Sequence, residues 1–214
     1  MAVDLRNRFI SSILLFAWII AAYAIPNNVV FFAPYVVPLT AVDQLIPLSS
    51  PWVWIYVSYY PFIYFAYFAA RSAGNAKRYL VMMSVSAGIA MFIFLFFPTI
   101  IFRGEYPVVG DEISAQALAL IRTLDNSVNC LPSMHIAMSC MAAYTYGSES
   151  RKWILPAYAW AALIAYSTMA TKQHYFWDVV GGMALASTMI ILSNAAVSRY
   201  LGQFLSRSSR PHAR

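Results

Sequence analysis

The sequence predicts an all-α integral membrane protein with six transmembrane helices in one bundle. Three observations predict it. Of 214 residues, 61% are hydrophobic and only 10% are charged. Mean hydropathy is +0.63. The apolar residues also gather into runs long enough to cross a bilayer. A soluble domain is about 45–50% apolar and about 25% charged, so a soluble globular fold is excluded. A hydrocarbon core about 30 Å thick needs roughly 17–25 apolar residues as a helix.

Six stretches meet that requirement: residues 9–25, 52–70, 79–102, 131–147, 153–171 and 175–198. Arg6 and Arg8 precede the first. Its Ala22-Tyr23-Ala24 has the form of a signal-peptide cleavage site, but the apolar run is long and Pro26 follows closely. Pro26, Pro34, Pro38, Pro47 and Pro51 then interrupt an apolar segment too often for a seventh span, and it reads as an interfacial or re-entrant loop. Arg71, Lys77 and Arg78 separate the second and third spans.

After the third span, residues 111–126 read as an amphipathic helix. Asp111 is the N-cap, and Ile113, Ala117, Leu120, Ile121 and Leu124 form an apolar stripe. Such a helix would lie in the membrane interface or pack over the bundle. Cys130 and Cys140 are about 15 Å apart along one helix and its entry, too far for a disulfide, and read as packing residues. Residues 199–214 form a basic tail, expected from Ser206 onward to be disordered or to lie at lipid head groups.

The net charge of +6 does not point to nucleic acid once the charges are sorted by loop. All but Arg103, Arg122 and Lys172 of the 14 Lys and Arg residues fall on one side, which the positive-inside rule makes cytoplasmic. Both termini are therefore expected in the cytoplasm. Asp43, Glu105, Asp111, Glu112, Asp125 and Asp178 make the opposite face acidic.

Two of the three histidines, His135 and His174, lie at the non-cytoplasmic ends of different spans. Pro132 suits the opening of the helix that carries His135. Asp178 follows His174 by four residues, which places imidazole and carboxylate on one helix face. A carboxylate that holds one ring nitrogen as N–H leaves the other free to attack or to take a proton. His174 with Asp178 thus has the form of an activated nucleophile, and His135 that of a proton donor to a leaving group. Both histidines sit near helix N-termini, which favour an anion such as phosphate. Two His and one Asp could also bind zinc, but the chain has no HExxH helix, and neither metal nor cofactor is expected.

At these residues the chain resembles the type 2 phosphatidic acid phosphatase superfamily, and more closely its branch of inositol phosphorylceramide and sphingomyelin synthases. Pro132-Ser133-Met134-His135 is similar to the family's PSGH motif, with Met134 in the glycine position. Ser167, His174 and Asp178 match the spacing of SRxxxxxHxxxD, with Thr168 in place of its arginine. The third motif, KxxxxxxRP, survives only as Arg103-Gly104-Glu105-Tyr106-Pro107.

The resemblance, which covers roughly residues 40 to 195, implies that His174 becomes phosphohistidine, that Asp178 orients it and that His135 protonates the departing alcohol. It further implies that Ser133 cradles the phosphoryl oxygens. Arg103 and Lys172, with Arg122 third, are the candidates to replace the missing arginine. The expected substrate is a lipid-linked phosphate, with transfer to a second alcohol favoured over hydrolysis by water. The local string His174-Tyr175-Phe176-Trp177-Asp178 carries that preference. The competing class, a non-enzymatic membrane protein such as a transporter, would be favoured by ionisable residues in mid-membrane, and the six stretches have none.

Overall fold

Apolar runs of this length fold as helices because a backbone removed from water must satisfy its own hydrogen bonds. The computed structural model describes residues 5–29, 31–103 and 110–208. Glu105, Tyr106 and Pro107 of the third motif, and the end of the basic tail, lie outside them. In chain order the elements are α1 (Leu5–Asn28), β1 (Tyr35–Val36), α2 (Ala41–Leu45), α3 (Val53–Val57), α4 (Tyr59–Ala69), α5 (Ala73–Phe96), β2 (Thr99–Ile100), α6 (Glu112–Leu124), α7 (Met134–Glu149), α8 (Ile154–Ala170) and α9 (Phe176–Ser208). Short 3₁₀ turns at Ser50–Trp52 and Arg151–Trp153 lead into α3 and α8.

Among the described residues, four helices are long and apolar enough to cross a membrane: Arg6–Asn28, Ala73–Phe96, Arg151–Ala170 and Phe176–Ala195. The other two expected stretches form shorter helices. Residues 52–70 divide into α3 and α4 because Pro61 has no N–H for the carbonyl of Val57. Ser58 sits at the break, its hydroxyl donating to the Ile55 carbonyl at 2.6 Å. Residues 131–147 become the 16-residue α7, which starts after Pro132 with Ser133 as its N-cap.

The third stretch is displaced from its expected limits. Ser72 caps α5 by accepting the Asn75 N–H at 3.0 Å, so the helix starts before Lys77 and Arg78. Pro98 follows its end, and Thr99 and Ile100 pair in parallel with Tyr35 and Val36. The proline-rich segment before α3 thus supplies a strand and a short helix, and no seventh span.

Helix α7 packs against α4, α5, α8 and α9. Its buried Ala137, Ser139, Ala142 and Ala143 let those backbones approach. The tightest approach is to α9, where a Cβ on Gly182 would meet the Ser133 carbonyl oxygen at 2.5 Å. At the same junction the Ser133 N–H donates to the Asp178 carbonyl at 3.0 Å.

One end of the bundle gathers basic residues. Arg8 donates to the Phe68 carbonyl at 3.4 Å, and Arg78 to the Tyr144 hydroxyl and Ser148 Oγ, both at 3.2 Å. The other end gathers buried polar groups, among them Asp43, Ser133, Lys172, Gln173, His174 and Asp178. Amphipathic α6 covers part of that end. Leu118 packs on Leu48 and Val53 with help from Ala117 and Ile121, while Ile113, Leu120 and Leu124 stay exposed. The single stripe read from the sequence is therefore two faces.

At this polar end α8 stops in a Schellman motif. Gln173 N–H donates to the Thr168 carbonyl at 2.8 Å and Lys172 N–H to the Met169 carbonyl at 3.1 Å. Lys172 holds the left-handed position, φ 55°, that usually falls to glycine. Its ammonium compensates by donating to the carbonyls of Asp43, at 2.7 Å, and Ile46, at 2.5 Å. Burial lowers its pKa from the ordinary lysine value, and Asp43 opposes that shift.

Two stability predictions follow from these contacts. Gly182→Ala should lower the thermal stability of the detergent-solubilised protein by about 1–3 kcal/mol, the usual cost of overpacking. Gly88→Ala, whose Cβ would meet nothing nearer than Trp18 at 3.7 Å, should leave it unchanged. Lys172→Met, which strips a charged donor from two carbonyls, should cost roughly 1–3 kcal/mol in the same assay.

Candidate active site

The N-termini of α7 and α9 and the C-terminus of α8 converge, and that convergence brings the two histidines together. His135 Nδ1 lies 3.3 Å from His174 Nε2. His174 Nδ1 lies 3.4 Å from Asp178 Oδ2, at ion-pair distance but without hydrogen-bond alignment. Asp178 is fully buried. Its Oδ2 is fixed by the Tyr175 N–H at 2.8 Å, an N3 carboxylate reaching back to the residue that opens α9. The three residues form a line: carboxylate, first imidazole, second imidazole. Rings of Tyr56 and Tyr59 flank His135 at 4.7 and 4.5 Å between centroids.

The helix N-termini are not equivalent. At α9, Tyr175 N–H is held by Asp178 and Phe176 N–H by Asp43 Oδ1, at 2.8 Å each. Two carboxylates already occupy the place that an anion would take. At α7 the N-cap Ser133 is fully buried, makes no side-chain cap, and its Oγ has no partner among the described residues. The first N–H groups of that helix lie outside the intrahelical ladder, so of the two helix starts it is α7 whose end is open to an anion. Asp43 is a cap twice over, since it also forms a capping box with Thr40 at the start of α2.

A cavity of about 670 Å³ has His135, His174, Gln173 and Arg103 on its wall and continues between the apolar Phe16, Ile19, Ile20 and Ile63. Among the described residues Arg103 is the only Lys or Arg that lines it. The guanidinium donates to the carbonyls of Asp125, at 2.5 Å, and Asn126, at 3.0 Å, and pairs with the Asp125 carboxylate at 3.6 Å. That carboxylate also accepts from the Tyr23 hydroxyl. Of the other two cations named from the sequence, Lys172 is directed to the α2 carbonyls and Arg122 donates to the Thr171 carbonyl at 3.1 Å. Thr168, in the place of the family arginine, turns its hydroxyl to the Ala165 carbonyl at 2.8 Å and accepts the N–H groups of Gln173 and His174. It shapes the loop and reaches nothing in the cavity.

Sequence reasoning missed three residues of this site. Gln173 and Asn129 line the cavity with buried, unpartnered amide atoms. Cys130 presents its sulfur, with ligand atoms of His174 and Asp178, in a group spanning no more than 4.8 Å. Cys–His–Asp is a donor set that zinc accepts, and an ion there would compete for the contact that orients His174. Burial, reinforced by Asp178, pushes the Cys130 thiol pKa well up, and both cysteines are free. Adjacency to His174 was the available signal for Gln173; nothing in the sequence links Cys130 or Asn129 to it.

No curated protein and no solved structure matches the chain. A sequence model of the PAP2 superfamily matches residues 23–192, well over half of the chain, in a stretch that takes in His135, His174 and Asp178; the chain belongs to the PAP2 superfamily.

Proposed function

We propose that the protein is a membrane-embedded lipid phosphotransferase that works through a phosphohistidine on His174. The observation that carries this reading is the line Asp178, His174, His135, with separations of 3.4 and 3.3 Å, on the wall of a largely apolar cavity. His174 Nε2 attacks phosphorus, and an N–P bond forms as the P–O bond to the departing alcohol breaks. Asp178 holds the Nδ1 proton, which selects the tautomer that leaves Nε2 free. His135 gives its proton to the leaving oxygen and later takes one from the acceptor hydroxyl.

Phosphoryl transfer has a loose transition state, so stabilising charge on the phosphoryl oxygens is the protein's main task. Ser133 and the first N–H groups of α7 take two of those oxygens. Arg103 supplies the positive charge that Thr168 does not. Lys172 and Arg122 contribute at a distance, each through a carbonyl of the loops that frame the site. No cofactor enters this scheme.

In the membrane, α3 with α4 and the short α7 complete six spans beside the four long helices. The basic end and both termini lie in the cytoplasm, and the histidine end faces the periplasm, exterior or lumen; the Lys and Arg count supports this. The exposed Ile113, Leu120 and Leu124 of α6 rest in the interface, where a lipid reaches the cavity past Ile121. Its acyl chains lie against α1 and α4, its phosphate at α7. The preference for transfer to a second alcohol, as in the inositol phosphorylceramide synthase-like branch, rests on the missing arginine and the string from His174 to Asp178. Hydrolysis of the same intermediate, as in the phosphatases of the superfamily, is the second reading.

In proteoliposomes containing phosphatidic acid or phospholipid donors, His174→Ala should lower turnover by about three orders of magnitude or more, as loss of a nucleophile does. Wild-type turnover in the variant would sink the phosphohistidine mechanism. Wild-type activity should persist in excess EDTA and fall with vanadate. The opposite pattern would move the chemistry to a metal at Cys130, His174 and Asp178.

A further inference from the structure

Gln173 is 1% exposed, immediately precedes His174 and lines the same cavity. Neither its Oε1 nor its Nε2 has a hydrogen-bond partner among the described residues. The backbone beneath it is fixed, since its own N–H is used by Thr168 at 2.8 Å in the turn that ends α8. A buried primary amide without partners is costly, which marks it as a group whose partner arrives with a ligand.

The chemistry of the amide narrows that ligand. A phosphoryl group offers only acceptors, so it can satisfy Nε2 but leaves the Oε1 lone pairs facing negative oxygen. A hydroxyl both donates and accepts, and so satisfies both halves of the amide at once. The same demand recurs at Asn129 on the cavity wall, whose Nδ2 donates to Asn27 at 2.8 Å while its Oδ1 has no donor among the described residues. Two acceptor oxygens on one wall call for a molecule that brings O–H groups.

We infer that Gln173 binds the acceptor hydroxyl for the second half of the reaction. This rests on the phosphohistidine reading. The acceptor O–H, first held on Oε1, passes its proton to His135 as its oxygen attacks. A lone pair on its oxygen forms the new O–P bond, and the N–P bond to His174 breaks with its electrons returning to Nε2. Water and an alcohol share this O–H chemistry, and the assay separates them.

The full chain in mixed micelles would be labelled with ³²P-phosphatidic acid, then chased with unlabelled lipid at increasing glycerol. The chase would be followed as free phosphate and phosphoglycerol per labelled enzyme. Gln173→Met keeps the shape without the polar atoms, and Gln173→Glu keeps an acceptor without the donor. The Met variant should lose label about tenfold more slowly, the worth of an unpaired hydroxyl contact, with the Glu variant between it and wild type. If the slowed product is phosphoglycerol, the bound hydroxyl is an alcohol's; if it is free phosphate, it is water's. A wild-type chase rate in the Met variant overturns the inference. So does an equal slowing of labelling and chase, which would mark a packing role. Absence of alkali-stable label in wild type would instead overturn the phosphohistidine reading itself.

Discussion

The rest of the site depends on the approach of α9 to the first turn of α7. Gly182 leaves room for the Ser133 carbonyl, and the Ser133 N–H donates to the Asp178 carbonyl at 3.0 Å. One helix start is thereby bonded to the first turn of the other. His135 is two residues from Ser133 and His174 four from Asp178, so the imidazole separation of 3.3 Å is a consequence of backbone packing. Side-chain flexibility contributes little, because His135 is also held between two tyrosine rings. A site fixed by helix backbones is more accurately kept than one carried on loops.

Around that contact, buried charge is paired with backbone groups more than with opposite charge. Asp43 and Asp178 each accept a backbone N–H at the start of α9, and Lys172 donates to two carbonyls of the α2 region. A charge that completes helix termini in this way is less exposed to the desolvation penalty of an isolated ion pair. It also explains why a lysine can hold a left-handed position. The backbone penalty at Lys172 is offset by bonds that glycine would not make.

Much of this was legible in the sequence, and the rest was hidden for identifiable reasons. The pairing of His174 with Asp178 survives into the structure, but not on one helix face: His174 lies just before α9, and Asp178 reaches back from its first turn. The capping role of Asp111 is equally local. The expected span at residues 52–70 does not survive whole, because Pro61 was available but the apolar run concealed its effect, whereas 131–147 keeps nearly its expected length and shifts to Met134–Glu149. Charge can be counted from the sequence, but counting cannot tell where a side chain points. Lys172 and Arg103 look alike in a loop, yet one is directed to α2 and the other lines the cavity. Cys130 and Asn129 reach the site in the segment between α6 and α7, which bonds back onto β2, a long-range contact without local signature.

The small β ladder has a temporal consequence. Tyr35 and Val36 pair with Thr99 and Ile100, and Ile100 bridges Val128, so the cover over the histidine end joins segments distant in the chain. Such long-range pairing is costly to close and tends to form after local helices. During synthesis the first of these strands waits, unpaired, until the third long stretch has been made, and the bridge waits for α6 as well. The ladder and its bridge can therefore close once α6 has been made, whereas His135 and His174 meet only after α7, α8 and the start of α9 have followed.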